Sequence, residues 1–440
     1  MTHRYTSWNR YPRATQRARL QRWRFDSLPL PEEAHESVLP FGNGRSYGDV
    51  CLNDGGSLID ARPLDRFIAF DQDSGLLRCE AGVLLDEILA LTVPRGWFLP
   101  VTPGTRFVTV GGAIANDVHG KNHHRAGTFG CHVPAFELLR SDGSRRLCSP
   151  ESHPEFYRAT IGGLGLTGLI TWAEIRLRRI STPLIETETQ RYDTLDAFFE
   201  LSAESDARFE QTVAWIDCLA GGARLGRGVF IRGNHAEISP SQPPRPSRQR
   251  VRIPVDPPFS AINPATLRLF NAAYFHGHPP GVQRDLVHYE PFFYPLDGVG
   301  DWNRIYGPRG FLQYQFVVPR TVGPEAVREI LERIAQAGVG SFLAVLKVFG
   351  DPVSPGLLSF PLPGVTLALD FPNAGRKTFA LLDQLDAVVR QAGGRIYPAK
   401  DARMCGEDFF ARYPHWPKLD ALRDPRFDSS FRRRMRGDLT

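Results

Sequence analysis

The stretch Gly42-Asn43-Gly44-Arg45-Ser46-Tyr47-Gly48-Asp49 places three glycines within seven residues. Glycine lets successive backbone N–H groups turn inward, forming a nest that can hold a pyrophosphate. Alone, the run reads equally well as a Gly-rich turn. It gains weight from four further segments: Pro103-Gly104-Thr105, Thr109-Val110-Gly111-Gly112-Ala113, His119-Gly120-Lys121-Asn122-His123-His124 and Gly127-Thr128-Phe129-Gly130. Small residues here let backbone approach a flat ring system, and Thr, Asn and His supply directed hydrogen bonds. His119, His123 and His124 also raise a zinc site. No Glu stands beside them as in HExxH, and the glycines break any helix that would align His at i and i+4, so no metal is expected.

Gly163-Leu164-Gly165-Leu166-Thr167-Gly168 fits GxGxxG, a pattern that signals a dinucleotide site only between a strand and a following helix. Here a helical stretch, Pro154 to Ala159, precedes it. A strand comes after it, with Ala173, Ile175 and Leu177 alternating against Glu174, Arg176 and Arg178. An NAD-binding Rossmann unit is therefore not expected. Two hairpins flank Asp73-Ser74-Gly75 and Asp142-Gly143. A short helix over Leu84 to Val93 ends at Pro94 and Gly96. Strands mixed with few helices predict an α+β fold.

Farther along the chain, Asn234 to Pro258 is rich in Pro, Ser and Arg and reads as a mobile loop or insertion. Strands are predicted at Phe311 to Val318, Phe342 to Phe349 and Val365 to Phe371, and helices at Pro324 to Gln336 and Lys377 to Ala392. Single polar residues interrupt these strands. Gln313 and Gln315 share one face. Lys347 is either a solvent-facing edge residue or a buried cation that needs a ligand partner, and the same choice stands for Lys400.

With 440 residues, the chain is long enough for two cores. Its net charge of +5 is mild and spread along the chain, which argues against nucleic acid and suits an anionic ligand. No apolar run is long enough to span a bilayer, and the N-terminus lacks the apolar core of a signal peptide. The six Cys show no CxxC pair, as free thiols in a reducing compartment would. The expected location is the cytoplasm, with or without peripheral contact to a membrane.

Together, Gly44 to Asp49, His119 to His124, Asp301 to Pro308, Phe311 to Phe316 and Lys400 to Arg403 resemble the vanillyl-alcohol-oxidase type of FAD-binding oxidoreductase, from Gly42 to the C-terminus. The resemblance implies an FAD domain from residues 1–180, completed by 393–440. A substrate domain, 181–392, built on an antiparallel sheet flanked by helices, is inserted between. It implies FAD contacts at Gly42 to Asp49, Gly104, Thr109, Val110, Gly111, Gly112, Asn116, Asp117, Val118, His119, Leu169 and Tyr397. Arg45 stands where covalently flavinylated relatives often carry His, so non-covalent FAD is expected.

By the same resemblance Lys121, Trp215, Phe293, Gln313, Gln315, Leu343, Lys347 and Lys400 line the substrate site. The implied reaction oxidises a secondary alcohol of a polyprenyl-phosphate-linked pentose to a ketone. His119 and Lys400 are the candidate bases, and a cation such as Lys347 near the flavin would stabilise its reduced form. A separate NAD(P)H-dependent short-chain reductase is the implied partner. The family's Cys two residues before Asp-Phe-Pro is Ala368 here, which bears on substrate detail more than on hydride chemistry. Two rivals remain: an oxidase of soluble sugars, alditols or aldonolactones, and a non-catalytic flavin-binding module. A lipid-linked substrate further predicts an apolar groove bordered by Asn234 to Pro258 and Phe275 to Gln283.

Overall fold

The computed structural model describes residues 5–238 and 251–438. Its architecture is α+β, with helices packed on mainly antiparallel sheets. Residues 239–250 of the Pro-, Ser- and Arg-rich segment lie outside the described residues. Its flanks are the strand Gly228–His235 and the short strand Val251–Arg252, which pairs with Val299–Gly300.

Three short parallel strands, Arg17–Leu20, Ser57–Asp60 and Val38–Phe41, form the first sheet. Val38, Leu58 and Ile59 are fully buried there, as expected where a parallel sheet is covered on both faces. The Gly42 to Asp49 loop leaves the carboxyl end of Val38–Phe41, the end at which such strands commonly present ligands.

Five antiparallel strands form the second sheet, in the order Phe67–Asp71, Leu76–Glu80, Leu169–Arg176, Phe136–Leu139 and Arg145–Cys148. Both predicted hairpins occur in it. The central strand buries Ala173 and Ile175 and leaves Arg176 exposed. A helix, Pro154–Thr160, lies before the GxGxxG run and a strand after it. The Rossmann order is thus reversed, as the flanking pattern predicted.

The third sheet has eight antiparallel strands, in the order Val282–His288, Leu184–Tyr192, Gly228–His235, Gln211–Ile216, Ala344–Phe349, Gly364–Pro372, Phe311–Pro319 and Arg395–Ile396. The last of these lies beyond residue 392, where the family resemblance implied a boundary. Helices Leu195–Asp206, Gly323–Ala337 and Arg376–Gln391 pack on one face. Strand periodicity then divides the residues between two environments. Leu312, Tyr314, Phe316, Ala344, Leu346, Leu367, Leu369, Ala214 and Ile216 join Ile330, Ile334, Leu385 and Val388 in the core. Each such large apolar side chain stabilises the fold by ~1.5–3 kcal/mol. The intervening Gln313, Gln315, Val345, Lys347, Ala368, Val213 and Trp215 line a cavity on the opposite face. Lys347 therefore lies on an interior strand, between Gln211–Ile216 and Gly364–Pro372 in sheet order, and the solvent-facing edge reading is excluded.

The chain ends in helices Gly406–Arg412, Trp416–Leu422 and Ser430–Arg436. They return to the first sheet, where Val38 bridges to Phe427. The Arg434 guanidinium donates to both Asp49 oxygens at 2.8 and 2.7 Å and to Asp401 Oδ2 at 2.8 Å. No helix among the described residues is long and apolar enough to cross a membrane.

Candidate active site

A cavity of about 910 Å³ separates the Gly-rich loops of the first half from the open face of the eight-stranded sheet. That volume is in the range of cofactor and substrate sites. The 42–49 loop is held by both ends of the chain. Trp8 N–H donates to Ser46 O at 2.9 Å, Gly48 N–H to Asn9 Oδ1 at 3.0 Å, and Tyr47 N–H to Ala399 O at 2.9 Å. The Arg45 guanidinium lies 4.0 Å from the Trp8 ring centroid. Asn43 Nδ2 donates to Phe107 O at 2.8 Å.

Opposite this loop, Thr109 caps the short helix Val110–Ala115, its Oγ1 accepting from Gly112 N–H at 3.2 Å. Asn116 Nδ2 bonds back to Gly112 O at 2.9 Å, and Tyr397 OH donates to Asn116 O at 2.7 Å. Gly42 to Tyr47, Gly104, Thr109, Gly111, Gly112, Asn116, Val118, His119, Leu169 and Tyr397 all line the cavity.

Four other residues expected at the cofactor do not line it. Val110 is fully buried in a hydrophobic cluster. Asp117 accepts from Gly130 N–H at 2.9 Å and from the Ser354 and Ser359 hydroxyls, pinning two loops. Asp49 is taken up by Arg434. Gly48, at φ +73°, meets the Asp401 carbonyl so closely that a Cβ would lie 1.7 Å from its oxygen. Glycine is required there by chain packing.

All eight residues expected in front of the flavin line the cavity: Lys121, Trp215, Phe293, Gln313, Gln315, Leu343, Lys347 and Lys400. Lys121 Nζ donates to the Phe292 and Phe293 carbonyls, and Lys347 Nζ to Gly120 O at 3.2 Å. Lys400 Nζ lies 3.9 Å from the Tyr47 ring centroid. Trp215 Nε1 donates to Phe342 O at 2.9 Å. Gln315 Nε2 stands 3.0 Å from His119 Nε2, which makes that imidazole nitrogen the acceptor.

The Lys347 charge weakens proton binding at both Lys121 and Lys400 across the cavity. Burial, then the Lys347 charge, lowers Lys121 to about 7. Burial lowers Lys347 to about 8. Burial also lowers Lys400, against the opposing pull of Asp370. His119 falls well below the usual imidazole value, through burial and then Lys347.

Sequence reasoning passed over several residues. Trp8 and Trp302 line the cavity; Trp302 falls within the Asp301 to Pro308 segment, but neither Trp was given a site role. Asp370 is fully buried behind the wall and accepts from Gln313 Nε2 at 2.6 Å. Its signal was in plain view: one carboxylate within Leu367-Ala368-Leu369-Asp370-Phe371.

A family model described as an FAD binding domain matches residues 28–149. Over 408 residues the chain is 38% identical to decaprenylphosphoryl-beta-D-ribose oxidase of Mycolicibacterium smegmatis, covering 90% of this chain and 87% of that protein. The chain belongs to this family of FAD-dependent oxidoreductases. An uncharacterized Streptomyces coelicolor protein is 35% identical over 80% of this chain and its own full length. Mouse L-gulonolactone oxidase is 26% identical over 40% of each chain.

The cavity suits the cofactor of this family. Arg45 Nε, Asn116 Oδ1 and His119 Nδ1 are buried on its lining residues without a hydrogen-bond partner among the described residues, and buried polar atoms of this kind call for a ligand. Gly42, Gly44, Gly104, Gly111 and Gly112 add backbone that a planar ring or a phosphate can approach closely.

Proposed function

We propose that this FAD-dependent oxidoreductase oxidises a secondary alcohol of a polyprenyl-phosphate-linked pentose, leaving a ketone. The observation that carries this reading is the make-up of the cavity. Lys121, Lys347 and Lys400, with Gln313 and Gln315, furnish a cationic, hydrogen-bonding interior for a phosphosugar. Val255, Phe259 and Leu269 stand 66%, 73% and 73% exposed on segments close in sequence to the lining residues Arg252 and Tyr274. Exposed apolar groups of this kind suit a lipid tail or a membrane surface. The substrate in the name of the M. smegmatis relative is of this class.

Bound FAD supplies the acceptor for the hydride leaving the carbinol carbon. Lys400, in its neutral form, takes the hydroxyl proton. His119 is less suited, because its acceptor nitrogen is already engaged by Gln315. Lys121 and Lys347 hold the anionic part of the substrate and place positive charge beside the ring system. The division of the chain at 180 and 392, the residue roles above and non-covalent attachment of FAD belong to this reading. So does a separate NAD(P)H-dependent short-chain reductase that would return the ketone to an alcohol of opposite configuration.

The test is the visible spectrum of the purified holoenzyme before and after anaerobic addition of a polyprenyl-phosphoryl pentose. The flavin bands are expected to bleach, and acid precipitation of the same sample to release the flavin into solution. Bands that bleach only with free sugars, alditols or aldonolactones would replace the lipid-linked substrate with a soluble one. Bands that bleach with no alcohol would leave a flavin-binding module.

A further inference from the structure

Asp370 lies behind the cavity wall, and its surroundings go beyond structural packing. In the antiparallel pair Phe311–Pro319 and Gly364–Pro372 it stands directly across from Gln313. The two side chains share a face, and Gln313 Nε2 donates to Asp370 Oδ1 at 2.6 Å. Asp370 Oδ2 and Gln313 Oε1 are both buried without a hydrogen-bond partner among the described residues. Ser341 touches the residue only at its backbone, where Ser341 Oγ accepts from the Asp370 N–H at 2.9 Å. A fully buried carboxylate with one free oxygen is costly unless a cation or a proton offsets it.

Lys400, above the Tyr47 ring, is the cation whose charge acts on Asp370. Lys347 acts on Lys400 from the neighbouring strand, and Lys400 in turn acts on His119. The Tyr47 and Tyr306 phenols are both pushed up, first by burial and then by the Asp370 charge. Burial raises Asp370 and lowers Lys400, so each draws the other toward sharing one proton.

We propose that Asp370 is a positioning residue for the oxidation: its buried carboxylate, held by Gln313 at the wall of the cavity that Lys400 also lines, sets when the Lys400 amine carries a proton. The proposal rests on the reading that Lys400 faces the reacting alcohol. Gln313 lines the cavity and holds Asp370 Oδ1, which fixes the carboxylate at that wall.

The test uses the holoenzyme and Asp370→Asn, with Asp370→Glu as the charge-retaining control. Cyanate carbamylates only neutral amines. Its rate at Lys400, read by mass spectrometry across pH, therefore reports the proton affinity of Lys400 without any substrate. A carboxylate nearby favours the ammonium, so removing it should move the Lys400 profile to lower pH by ~1 unit. Asp370→Glu should restore the profile toward that of the unsubstituted protein. The pH limb of anaerobic flavin reduction should move in the same direction. An unmoved carbamylation profile in a folded Asp370→Asn holoenzyme overturns the proposal. A moved profile with an unchanged reduction limb would instead fault the placement of Lys400 at the substrate, and with it the proposed relevance of Asp370 to oxidation.

Should Asp370→Asn not fold, Lys400→Met reads the coupling from the other side. Loss of the ammonium should let a protonated-carboxyl band in the infrared spectrum persist to higher pH than in the unsubstituted protein. Bands with identical pH dependence overturn the proposal.

Discussion

Replacing Lys400 with Ala is expected to leave FAD bound and to slow anaerobic reduction by substrate ~10²–10⁴-fold, the usual contribution of a positioned base. Lys400 lines the cavity with its ammonium over the Tyr47 ring. The nearby carboxylates Asp49 and Asp401 are paired with Arg434 instead. Burial lowers the proton affinity of Lys400, so the free amine is populated much closer to neutrality than that of an ordinary lysine. A base must be unprotonated to work, so the reduction rate should rise with pH through the Lys400 titration and then level. In Lys400→Ala that rising limb should vanish along with the rate. Stopped-flow reduction at several pH values checks both parts. A variant reduced within a few-fold of normal, with its rising limb intact, would move the base elsewhere, and His119 would be tested next.

The second large effect is structural. Arg434→Leu should cost about 3–5 kcal/mol, the usual cost of leaving buried charges without their partner. The guanidinium sits between two nearly inaccessible carboxylates, Asp49 and Asp401, whose side chains are 4% and 5% exposed. It also donates to Met404 O. Removing it leaves two like charges facing each other, and burial already raises Asp49. Asp49 and Tyr47 share a loop, so the damage should reach the cofactor. The variant should melt earlier and hold FAD less tightly, as thermal unfolding and flavin titration would show. A normal melting temperature with normal FAD affinity would mean that the C-terminal helix is not what closes the 42–49 loop.

Most of the cavity lining was legible through the family resemblance, and part of it through strand geometry, which is local. A polar residue at every second position of an apolar strand must face a different environment from its neighbours. Gln313 and Gln315 showed this within Phe311 to Val318, and both line the cavity. Flanking elements likewise excluded a Rossmann unit at Gly163 to Gly168. By contrast, Gly48 and Asp49 read as continuous with the pyrophosphate nest, yet they face Asp401 and Arg434. Spacing reports that a loop is glycine-rich. It does not report which glycine is needed for a ligand and which for a backbone approaching from elsewhere in the chain.

The sequence by itself determined the α+β architecture through turn chemistry and strand period, and the cofactor class and most of the lining residues through the family resemblance of its long motif segments. Tertiary structure alone decided which charges meet. Asp370 lies thirty residues before Lys400 and 57 after Gln313, and Asp49 lies 385 before Arg434. Coulomb interactions and desolvation depend on distance in space and on exclusion of water, and neither is a property of neighbouring residues in a chain.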